Sequence, residues 1–242
     1  MEVRLAPEPP TARSAGPRPV VVTGASRGIG RATALLAARR GERVALVGRE
    51  SDAMHEVTDE CRRLGTEVTF VACDLADTQQ IDAAAERIVD LGTPKALINN
   101  AAIIERAPLT ALSLDSFRRQ LDTNLVAPVW LTRALVASMV AARHGRIVNV
   151  GSISGVLGTA HQVAYNASKW ALIGFTKSLA RELTDSGVSV VTVLPGGVAT
   201  DMTRESPFPP RMSADDVARV LLYYALDASV AHNGANIEMF AD

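Results

Sequence analysis

The chain has 242 residues, of which 48% are hydrophobic and 21% charged, and its formal net charge is −1. This length and composition are typical of one globular domain with a large core, and a charge so close to zero gives no basis for a nucleic acid or an anionic membrane as partner. With two cysteines and four widely separated histidines, the sequence offers neither a disulfide framework nor a metal-ligand spacing.

The first 17 residues differ in composition from the rest of the chain. They contain several prolines and no apolar segment of signal-peptide length, so we expect a flexible leader over residues 1–17 and a single catalytic domain over residues 18–242. No run of about 20 apolar residues occurs, which predicts no membrane span. The low cysteine content favours a reducing compartment, and we expect a cytoplasmic protein.

From residue 18 onward, short apolar runs alternate with longer segments of helical spacing. Strands are predicted over residues 20–24, 43–48, 68–74, 95–100, 145–152, 188–196 and 235–240. Helices are predicted over residues 30–41, 51–64, 78–91, 114–142, 163–185 and 213–226. Because the strands are unbroken apolar runs separated by helices, the pattern indicates a doubly wound α/β fold, in which helices cover both faces of one parallel sheet of about seven strands.

The first predicted strand leads into a glycine-rich turn, TGASRGIG, at residues 23–30. Gly24, Gly28 and Gly30 would let the backbone turn tightly and approach a pyrophosphate, while the N-terminus of the following helix offers free N–H groups. A plain tight turn would use the same glycines. The position of the turn between the first strand and the first helix nevertheless favours dinucleotide binding.

The end of the second predicted strand bears on which dinucleotide is bound. An acidic residue at this point accepts hydrogen bonds from the adenosine ribose of NAD, whereas this strand ends in Gly48 followed by Arg49. Arg27 lies inside the glycine turn, and two guanidinium groups near that ribose would pair with the 2′-phosphate of NADP. We therefore expect NADP(H) rather than NAD(H), with Glu50 as the residue that could still favour NAD(H).

The segment YNASK, residues 165–169, places a tyrosine and a lysine one helical turn apart. Residues at positions i and i+4 share a helix face, so the Lys169 ammonium would favour the Tyr165 phenolate and lower the tyrosine pKa from about 10. The tyrosine could then exchange protons near neutral pH. An isolated pair of this kind is more often an ordinary helix surface, so the other motifs must decide between the two interpretations.

Taken in order, the motifs resemble those of the short-chain dehydrogenase/reductase family, and the resemblance covers residues 19–242. The matching segments are TGASRGIG (23–30), Asp74 with Leu75, NNAA (99–102), Asn124, Ser152, the YxxxK pair Tyr165 and Lys169, and LPGGVATDM (194–202). Ala102 stands where the family usually has glycine, and Ser152 lies 13 residues before Tyr165, as the family's catalytic serine does. The resemblance implies a Rossmann fold and an NADP(H)-dependent oxidoreductase.

The resemblance also implies roles for four catalytic residues. Tyr165 would exchange a proton with the oxygen of the ketone or alcohol, Ser152 would hydrogen-bond that oxygen, and Lys169 would lower the tyrosine pKa and bind the nicotinamide ribose. Asn124 would hold a water that connects Lys169 to bulk solvent. Ser154 is a competing candidate for the catalytic serine because it lies only two residues further along the chain.

Two larger sets complete the predicted site. The cofactor-binding residues implied by the motifs are Gly24, Ser26, Arg27, Gly28, Ile29, Gly30, Arg49, Asp74, Leu75, Asn100, Ala101, Tyr165, Lys169, Pro195, Gly196, Val198 and Thr200. The candidate substrate-binding residues are Ser154, His161, Gln162, Gly197 and Met202. The loop at residues 202–212 is short and contains Pro207 and Phe208, which predicts an open and apolar substrate site.

The resemblance is nearest to 3-oxoacyl-(acyl carrier protein) reductases, so we expect a carbonyl reductase that converts a ketone or 3-oxoacyl group into a secondary alcohol. The alternatives are a non-catalytic NAD(P)-binding scaffold or sensor, an NAD-dependent alcohol dehydrogenase of the same family, and an epimerase or dehydratase of its longer branch. Such scaffolds usually lose the tyrosine or the lysine, whereas this chain keeps Tyr165 and Lys169 together with Ser152 and Asn124.

Two kinds of macromolecular partner follow from the resemblance. The family assembles through its long helices, and residues 114–142 and 163–185 are apolar enough to bury more than one face, so we expect a homotetramer. In the carrier-protein reductases a basic patch helps to dock the acyl carrier protein. Arg143 and Arg146 match that patch in residue type, whereas Ser186 replaces a residue that is often basic.

Overall fold

Seven strands form one sheet in the order β3-β2-β1-β4-β5-β6-β7, and all neighbouring strands are parallel. The computed structural model describes residues 18–204 and 209–240, so the predicted leader lies outside the described residues, as do Pro207 and Phe208. The strands are β1 (Val20–Thr23), β2 (Val44–Gly48), β3 (Val68–Ala72), β4 (Ala96–Asn99), β5 (Gly145–Val150), β6 (Val188–Pro195) and β7 (Asn236–Met239). The predicted doubly wound α/β fold is confirmed.

Helices cover both faces of this sheet. They are α1 (Gly28–Arg39), α2 (Asp52–Arg63), α3 (Thr78–Asp90), α4 (Leu114–Leu121), α5 (Ala127–Ala141), α6 (Val163–Glu182) and α7 (Ala214–Leu222). Side chains of α1, α2 and α7 form one apolar cluster with the sheet, and side chains of α3, α5 and α6 form another. Because successive strand residues point to opposite faces, Val20 and Val22 join the first cluster and Val21 joins the second. This two-sided burial explains why the strands are unbroken apolar runs.

The order of the strands creates a switch point between β1 and β4. The chain builds outward from β1 to β3, and then returns to the other side of β1 to build β4 and the later strands. The loops that leave the carboxyl ends of β1 and β4 therefore run in opposite directions and leave a crevice between them. Thr23, at the end of β1, and Asn99, at the end of β4, mark this crevice.

The long helix predicted over residues 114–142 is interrupted in the structure. Between α4 and α5 lies a π-helical turn, Asp122–Val126, in which the N–H of Ala127 donates to the carbonyl of Asp122, five residues earlier. Pro128, in the first turn of α5, has no N–H to donate to the carbonyl of Asn124. The extra residue in this turn changes the direction of the Asn124 side chain, and π turns of this kind are frequent at functional sites.

One helical stretch among the described residues, Leu114–Ala141, is long and apolar enough to cross a membrane, with a mean hydropathy of 1.4. Its residues Leu131, Leu135 and Met139 are fully buried within the protein. A core helix of a globular protein has the same length and composition, so this stretch is weak evidence for a membrane span.

Candidate active site

The glycine turn at the end of β1 is packed so closely that side chains could not replace two of its glycines. Gly24 has a positive φ of 67°, and a Cβ added there would lie 2.8 Å from the Cα of Ala101. A Cβ on Gly30 would lie 2.2 Å from the carbonyl oxygen of Gly24. The turn therefore brings its backbone against the segment after β4 and against the start of α1, as a pyrophosphate-binding turn requires.

The N-terminus of α1 suits an anionic ligand. Arg27 is its N-cap residue, with extended backbone and no side-chain capping hydrogen bond, and the first turn carries no acidic residue. The free N–H groups and the helix dipole both favour a phosphate at this point. Ser26, Gly28 and Ile29 surround the same helix start and are partly accessible. These residues fit the predicted dinucleotide.

Hydrogen bonds tie this turn to the segment that follows β4. The hydroxyl of Thr23 accepts from the backbone N–H groups of Asn100 and Ala101, each at 3.0 Å. The side-chain amide of Asn100 donates to the carbonyls of Thr23 and Gly24 at 2.9 and 3.2 Å. Four hydrogen bonds thus fix the two sides of the crevice relative to each other, and Thr23, which the sequence analysis did not single out, accepts three of them.

The residues predicted near the adenosine lie on the side of the crevice formed by β2 and β3. Asp74 is half-buried and accepts from the N–H of Ala76 at 3.0 Å, and Leu75 is 8% exposed. Arg49 is exposed directly after β2. Glu50 is also exposed, and its carboxylate lies 3.4 Å from the His55 imidazole.

Arg27, the second arginine predicted at the adenosine, is largely free of the protein. Its side chain is 76% exposed, and its one ion pair among the described residues is with Asp201 at 3.8 Å. An exposed pair at this distance contributes little to stability, so the guanidinium can move to a ligand at small cost.

Asn124, in the π turn, is fully buried and has its side chain fully engaged. Its Oδ1 accepts from the N–H of Ile103 at 2.8 Å, and its Nδ2 donates to the Ile103 carbonyl at 2.9 Å and to the Ser168 hydroxyl at 3.2 Å. Ser168 in turn donates to the carbonyl of Tyr165 at 2.6 Å. Asn124 therefore connects the segment after β4 to α6. Ser168, which the sequence analysis did not single out, links the Asn124 side chain to the backbone of Tyr165.

Ser152, Tyr165 and Lys169 meet beyond the carboxyl end of β5. The Ser152 Oγ accepts from the N–H of Ser154 at 3.1 Å, and Ser152 acts to lower the pKa of Tyr165. Tyr165 is 7% exposed and Lys169 is 2% exposed, although both lie near the start of a long helix. The Lys169 ammonium donates to the carbonyl of Val150 at 2.8 Å. The ordinary surface pair, the alternative interpretation of YNASK, is thus excluded.

The prediction that Lys169 lowers the pKa of Tyr165 is wrong for this structure. Burial raises the pKa of the tyrosine above its usual value, against a lowering by the Ser152 hydrogen bond and the charge of Arg106. Burial also lowers the pKa of Lys169 to about 8. The prediction from the spacing took account only of the attraction between the two charges. Burial removes water from both side chains and so disfavours both charged forms, and this effect dominates here.

The segment after β6 closes the other side of the crevice. Pro195 ends β6, and the N–H of Gly196 donates to the carbonyl of Met239 at 3.0 Å. The carbonyl of Gly197 accepts from two N–H groups, those of Arg211 and Met212, at 3.1 and 3.2 Å. Val198 is 3% exposed, and Thr200 is the N-cap of a short 3₁₀ turn, Asp201–Thr203. Met202, within that turn, is half-buried.

The remaining candidate substrate residues lie between Ser152 and Tyr165. Ser154 and Gln162 are buried, at 7% and 8% exposure. His161 is exposed, with a positive φ of 63°, and its carbonyl accepts from the N–H of Ala107 at 2.9 Å. Its backbone therefore holds the segment after β4, while its side chain extends into solvent.

Arg106, on this same segment, was not among the predicted site residues. Its Nη2 donates to the carbonyl of Met202 at 3.3 Å, and its charge acts on Tyr165. The only sequence signal was a charged side chain between NNAA and α4, and Glu105, which pairs with Arg119 and Ser116, gives the same signal. No group of His, Cys, Asp and Glu side chains that could hold a metal ion occurs in residues 18–204 and 209–240.

A doubly wound parallel sheet with a glycine turn at its switch point defines a Rossmann-type dinucleotide-binding protein. The chain matches the model of the short chain dehydrogenase family over residues 18–208. The chain therefore belongs to the short-chain dehydrogenase/reductase family of oxidoreductases, and the expected family is confirmed.

Individual relatives agree with this assignment. The chain is 34% identical over 230 residues to the 3-oxoacyl-[acyl-carrier-protein] reductase FabG of Pseudomonas aeruginosa. The matched region covers 90% of this chain and 93% of that protein. Among solved structures, a Beutenbergia cavernae protein provisionally named an NAD(P)-dependent gluconate 5-dehydrogenase, with NADP at low occupancy, has a TM-score of 0.86 at 35% identity over 93% of this chain and 96% of its own. A 3-oxoacyl (acyl-carrier-protein) reductase from Agrobacterium tumefaciens with NADP bound has a TM-score of 0.85 at 28% identity over 92% of each chain.

Proposed function

We propose that this oxidoreductase uses NADPH to reduce a ketone or 3-oxoacyl carbonyl to a secondary alcohol, with Tyr165 as the general acid and base. The observation that carries the proposal is the burial of Tyr165 and Lys169 on α6, with Ser152 acting on the tyrosine pKa, at the same sheet edge as the glycine turn. A non-catalytic scaffold has no need to bury a lysine and a tyrosine next to a nucleotide site, because such burial costs stability.

In this proposal, the bound nicotinamide supplies the hydride, and the protein positions the carbonyl and moves the proton. Ser152 donates a hydrogen bond to the carbonyl oxygen, and Tyr165 protonates that oxygen as the hydride arrives. A raised pKa keeps the Tyr165 phenol protonated near neutral pH, so it is ready to act as an acid in the reductive direction. Lys169 would bind the nicotinamide ribose through its ammonium group.

The role proposed for Asn124 concerns its backbone. Because its side chain is fully engaged by Ile103 and Ser168, a water that relays protons from Lys169 would be held by the Asn124 carbonyl, which has no donor from Pro128. The side chain would then serve to hold the π turn in position.

NADP(H) rather than NAD(H) is proposed as the cofactor. Arg27 and Arg49 are exposed on the adenosine side, no acid ends β2, and Glu50 lies beside His55. Two of the related structures contain NADP, which supports the same choice. An NAD-dependent alcohol dehydrogenase of this family is the alternative.

The proposed substrate is a small ketone or an acyl thioester. The relationship to FabG proteins supports a 3-oxoacyl group. Docking of an acyl carrier protein has weaker support, because Arg146 is half-buried and donates to the carbonyls of Gly145 and Gly187 rather than facing solvent. Arg143, which is exposed, would be the main cationic contact.

A homotetramer in the cytoplasm is the proposed state of the protein. Apolar side chains on the outer sides of α4, α5 and α6 are exposed in the single chain, with Leu114 at 59%, Val140 at 38% and Trp170 at 53%. Burying them against second copies would remove apolar surface from water. A monomeric mass by light scattering at micromolar concentration would contradict this proposal.

The test of the proposed function has two stages. NADPH and NADH are first titrated into the protein while nicotinamide fluorescence is followed, and then a short 3-oxoacyl thioester is added while the loss of NADPH absorbance is measured. Tight NADPH binding with turnover is the expected result. Binding without turnover of this or any other ketone would support the scaffold alternative, and a preference for NADH would support the NAD-dependent dehydrogenase.

A further inference from the structure

We propose that Arg106 binds a carboxylate of the substrate, so that among small ketones the oxo acids are preferred over their neutral analogues. This inference rests on the proposed reductase function and names the substrate class of the same site. It depends on where the Arg106 side chain lies, on which of its donors are unused, and on the absence of a competing protein carboxylate.

The backbone that carries Arg106 is held on both sides. Ile103 is bound through both its N–H and its carbonyl to the side chain of Asn124. The N–H of Glu105 donates to Oε1 of Gln120 at 3.2 Å, and the N–H of Ala107 donates to the carbonyl of His161 at 2.9 Å. Contacts on both sides of Arg106 therefore fix the direction in which its side chain leaves the chain.

The Arg106 side chain lies near Tyr165, the proposed acid. The guanidinium reaches the carbonyl of Met202 in the segment after β6, and its charge acts on Tyr165, which lies on α6. Arg106 therefore bridges the segments after β4 and β6 close to Tyr165, where the ketone would bind in the proposed reaction.

Much of the hydrogen-bonding capacity of Arg106 is unused. A guanidinium carries five N–H donors, whereas one weak hydrogen bond, to Met202, is the only one that Arg106 makes with the described residues. Its Nε is buried and has no hydrogen-bond partner. The Arg106 residue as a whole is only partly buried, and a carboxylate can accept two parallel hydrogen bonds from a guanidinium fork.

The nearby carboxylates of Glu105 and Asp201 are already paired with other side chains. Glu105 is bound by Arg119 and by the Ser116 hydroxyl, and hydrogen bonding lowers the Glu105 pKa. Asp201 pairs with Arg204 and Arg27. Arg106 forms no ion pair with any carboxylate of residues 18–204 and 209–240. No carboxylate of the described residues therefore neutralises Arg106, and a substrate carboxylate would supply that charge.

The competing explanation is that Arg106 only ties Met202 to the segment after β4. The two roles are separated by matched substrates: pyruvate, acetoacetate and laevulinate, each against its methyl ester. We would measure kcat/KM with NADPH for the wild type, Arg106→Gln and Arg106→Lys. Arg204→Gln, an exposed arginine on the neighbouring turn, is the control for loss of positive charge.

For at least one acid, the wild type should prefer the acid over its ester, and Arg106→Gln should lower that preference by about tenfold to a hundredfold, mainly through KM. Arg106→Lys should recover part of it, because the charge is kept and the fork is lost. Arg204→Gln should change acid and ester alike. An equal loss for acid and ester in Arg106→Gln, or a wild type without any preference for the acids, would overturn the inference.

A binding measurement distinguishes failure of this inference from failure of the proposed function. Each of the three acids is titrated calorimetrically into the wild type and Arg106→Gln, each saturated with NADP. Binding of at least one acid that weakens at least tenfold in the variant supports the inference even if no ketone is reduced, whereas equal binding or no binding in both proteins for all three acids contradicts it. Turnover of neutral ketones without any effect of Arg106→Gln would leave the reductase proposal standing and overturn the substrate class.

Discussion

The Lys169 ammonium nitrogen lies 5.6 Å from the centroid of the Tyr165 ring and donates its hydrogen bond to the carbonyl of Val150 instead of to the phenol. Both side chains are almost completely buried, so loss of hydration raises the pKa of the tyrosine and lowers that of the lysine. The site therefore presents a protonated phenol next to an amine whose charge changes near pH 8.

Replacing Tyr165 with phenylalanine should abolish most of the reductase activity. The ring and its packing remain, but the proton donor is lost, so kcat should fall by about a hundredfold to ten-thousandfold. NADPH affinity and thermal stability should change little, which separates loss of chemistry from loss of fold. Ser152→Ala should lower kcat by less, because it removes a hydrogen bond to the carbonyl oxygen and not the proton itself. Activity close to that of the wild type in Tyr165→Phe would exclude the tyrosine as the acid.

The reverse reaction should depend on pH in a defined direction. Oxidation of an alcohol needs the Tyr165 phenolate. Because burial raises the pKa of Tyr165 above its ordinary value of 10.0, the phenolate fraction should still be rising at pH 10. The value of kcat/KM for oxidation should therefore increase across about pH 6 to 10 without a plateau near neutrality. In Ser152→Ala the curve should move to higher pH, because Ser152 lowers the tyrosine pKa in the wild type and the variant lacks this effect. A plateau below about pH 8 would show that another group, or the bound cofactor, sets the tyrosine pKa.

Lys169 should make the protein more stable as the pH rises from about 8 to 10.5. Its pKa is lowered from 10.5 to about 8 in the folded chain, so in this window the unfolded chain binds more protons and stability increases with pH. The full difference corresponds to about 3 kcal/mol, and the burial penalty is present in full below the folded pKa. The free energy of unfolding of the wild type, relative to that of Lys169→Met, should therefore increase with pH across this window.

This gain is measured as a difference between two denaturation curves at each pH, so that the titration of other groups cancels. Lys177→Met, which removes an exposed lysine from the same helix, controls for the loss of a lysine as such. If the difference in free energy of unfolding between the wild type and Lys169→Met rose with pH no more steeply than that between the wild type and Lys177→Met, Lys169 would not have a lowered pKa in the folded chain.

The sequence predicted the strands and the family motifs because each depends on local pattern. Val20–Thr23 and Val188–Pro195 are mostly apolar runs that are buried at every position, as strands covered on both faces of a parallel sheet are. The π turn at Asp122–Val126 was not predicted, because a single extra residue leaves the apolar helical pattern of residues 114–142 unchanged. The direction of the Tyr165 pKa was wrong because spacing reveals which charges are near, but not how much water surrounds them.

The choice of NADPH over NADH should depend on Arg27 and Arg49 separately. Neither side chain is held firmly by the protein, since Arg27 is 76% exposed and Arg49 is exposed after β2. Each should contribute a charge-assisted hydrogen bond to the 2′-phosphate, so Arg27→Ala and Arg49→Ala should each weaken NADPH binding by about tenfold to a hundredfold. NADH binding should change by less than about twofold, because NADH carries no phosphate at that position.

Fluorescence titration of both cofactors into each variant tests this, with Arg63→Ala, at the exposed end of α2, as the control for loss of charge. Since the 2′-phosphate contacts are electrostatic and exposed, the NADPH affinity of the wild type should also fall with added salt more steeply than its NADH affinity. Equal losses for both cofactors in Arg27→Ala would mean that the arginine supports the glycine turn and does not recognise the 2′-phosphate. Tighter NADH binding in the wild type would instead assign the ribose to Glu50, and Glu50→Gln should then weaken NADH binding selectively.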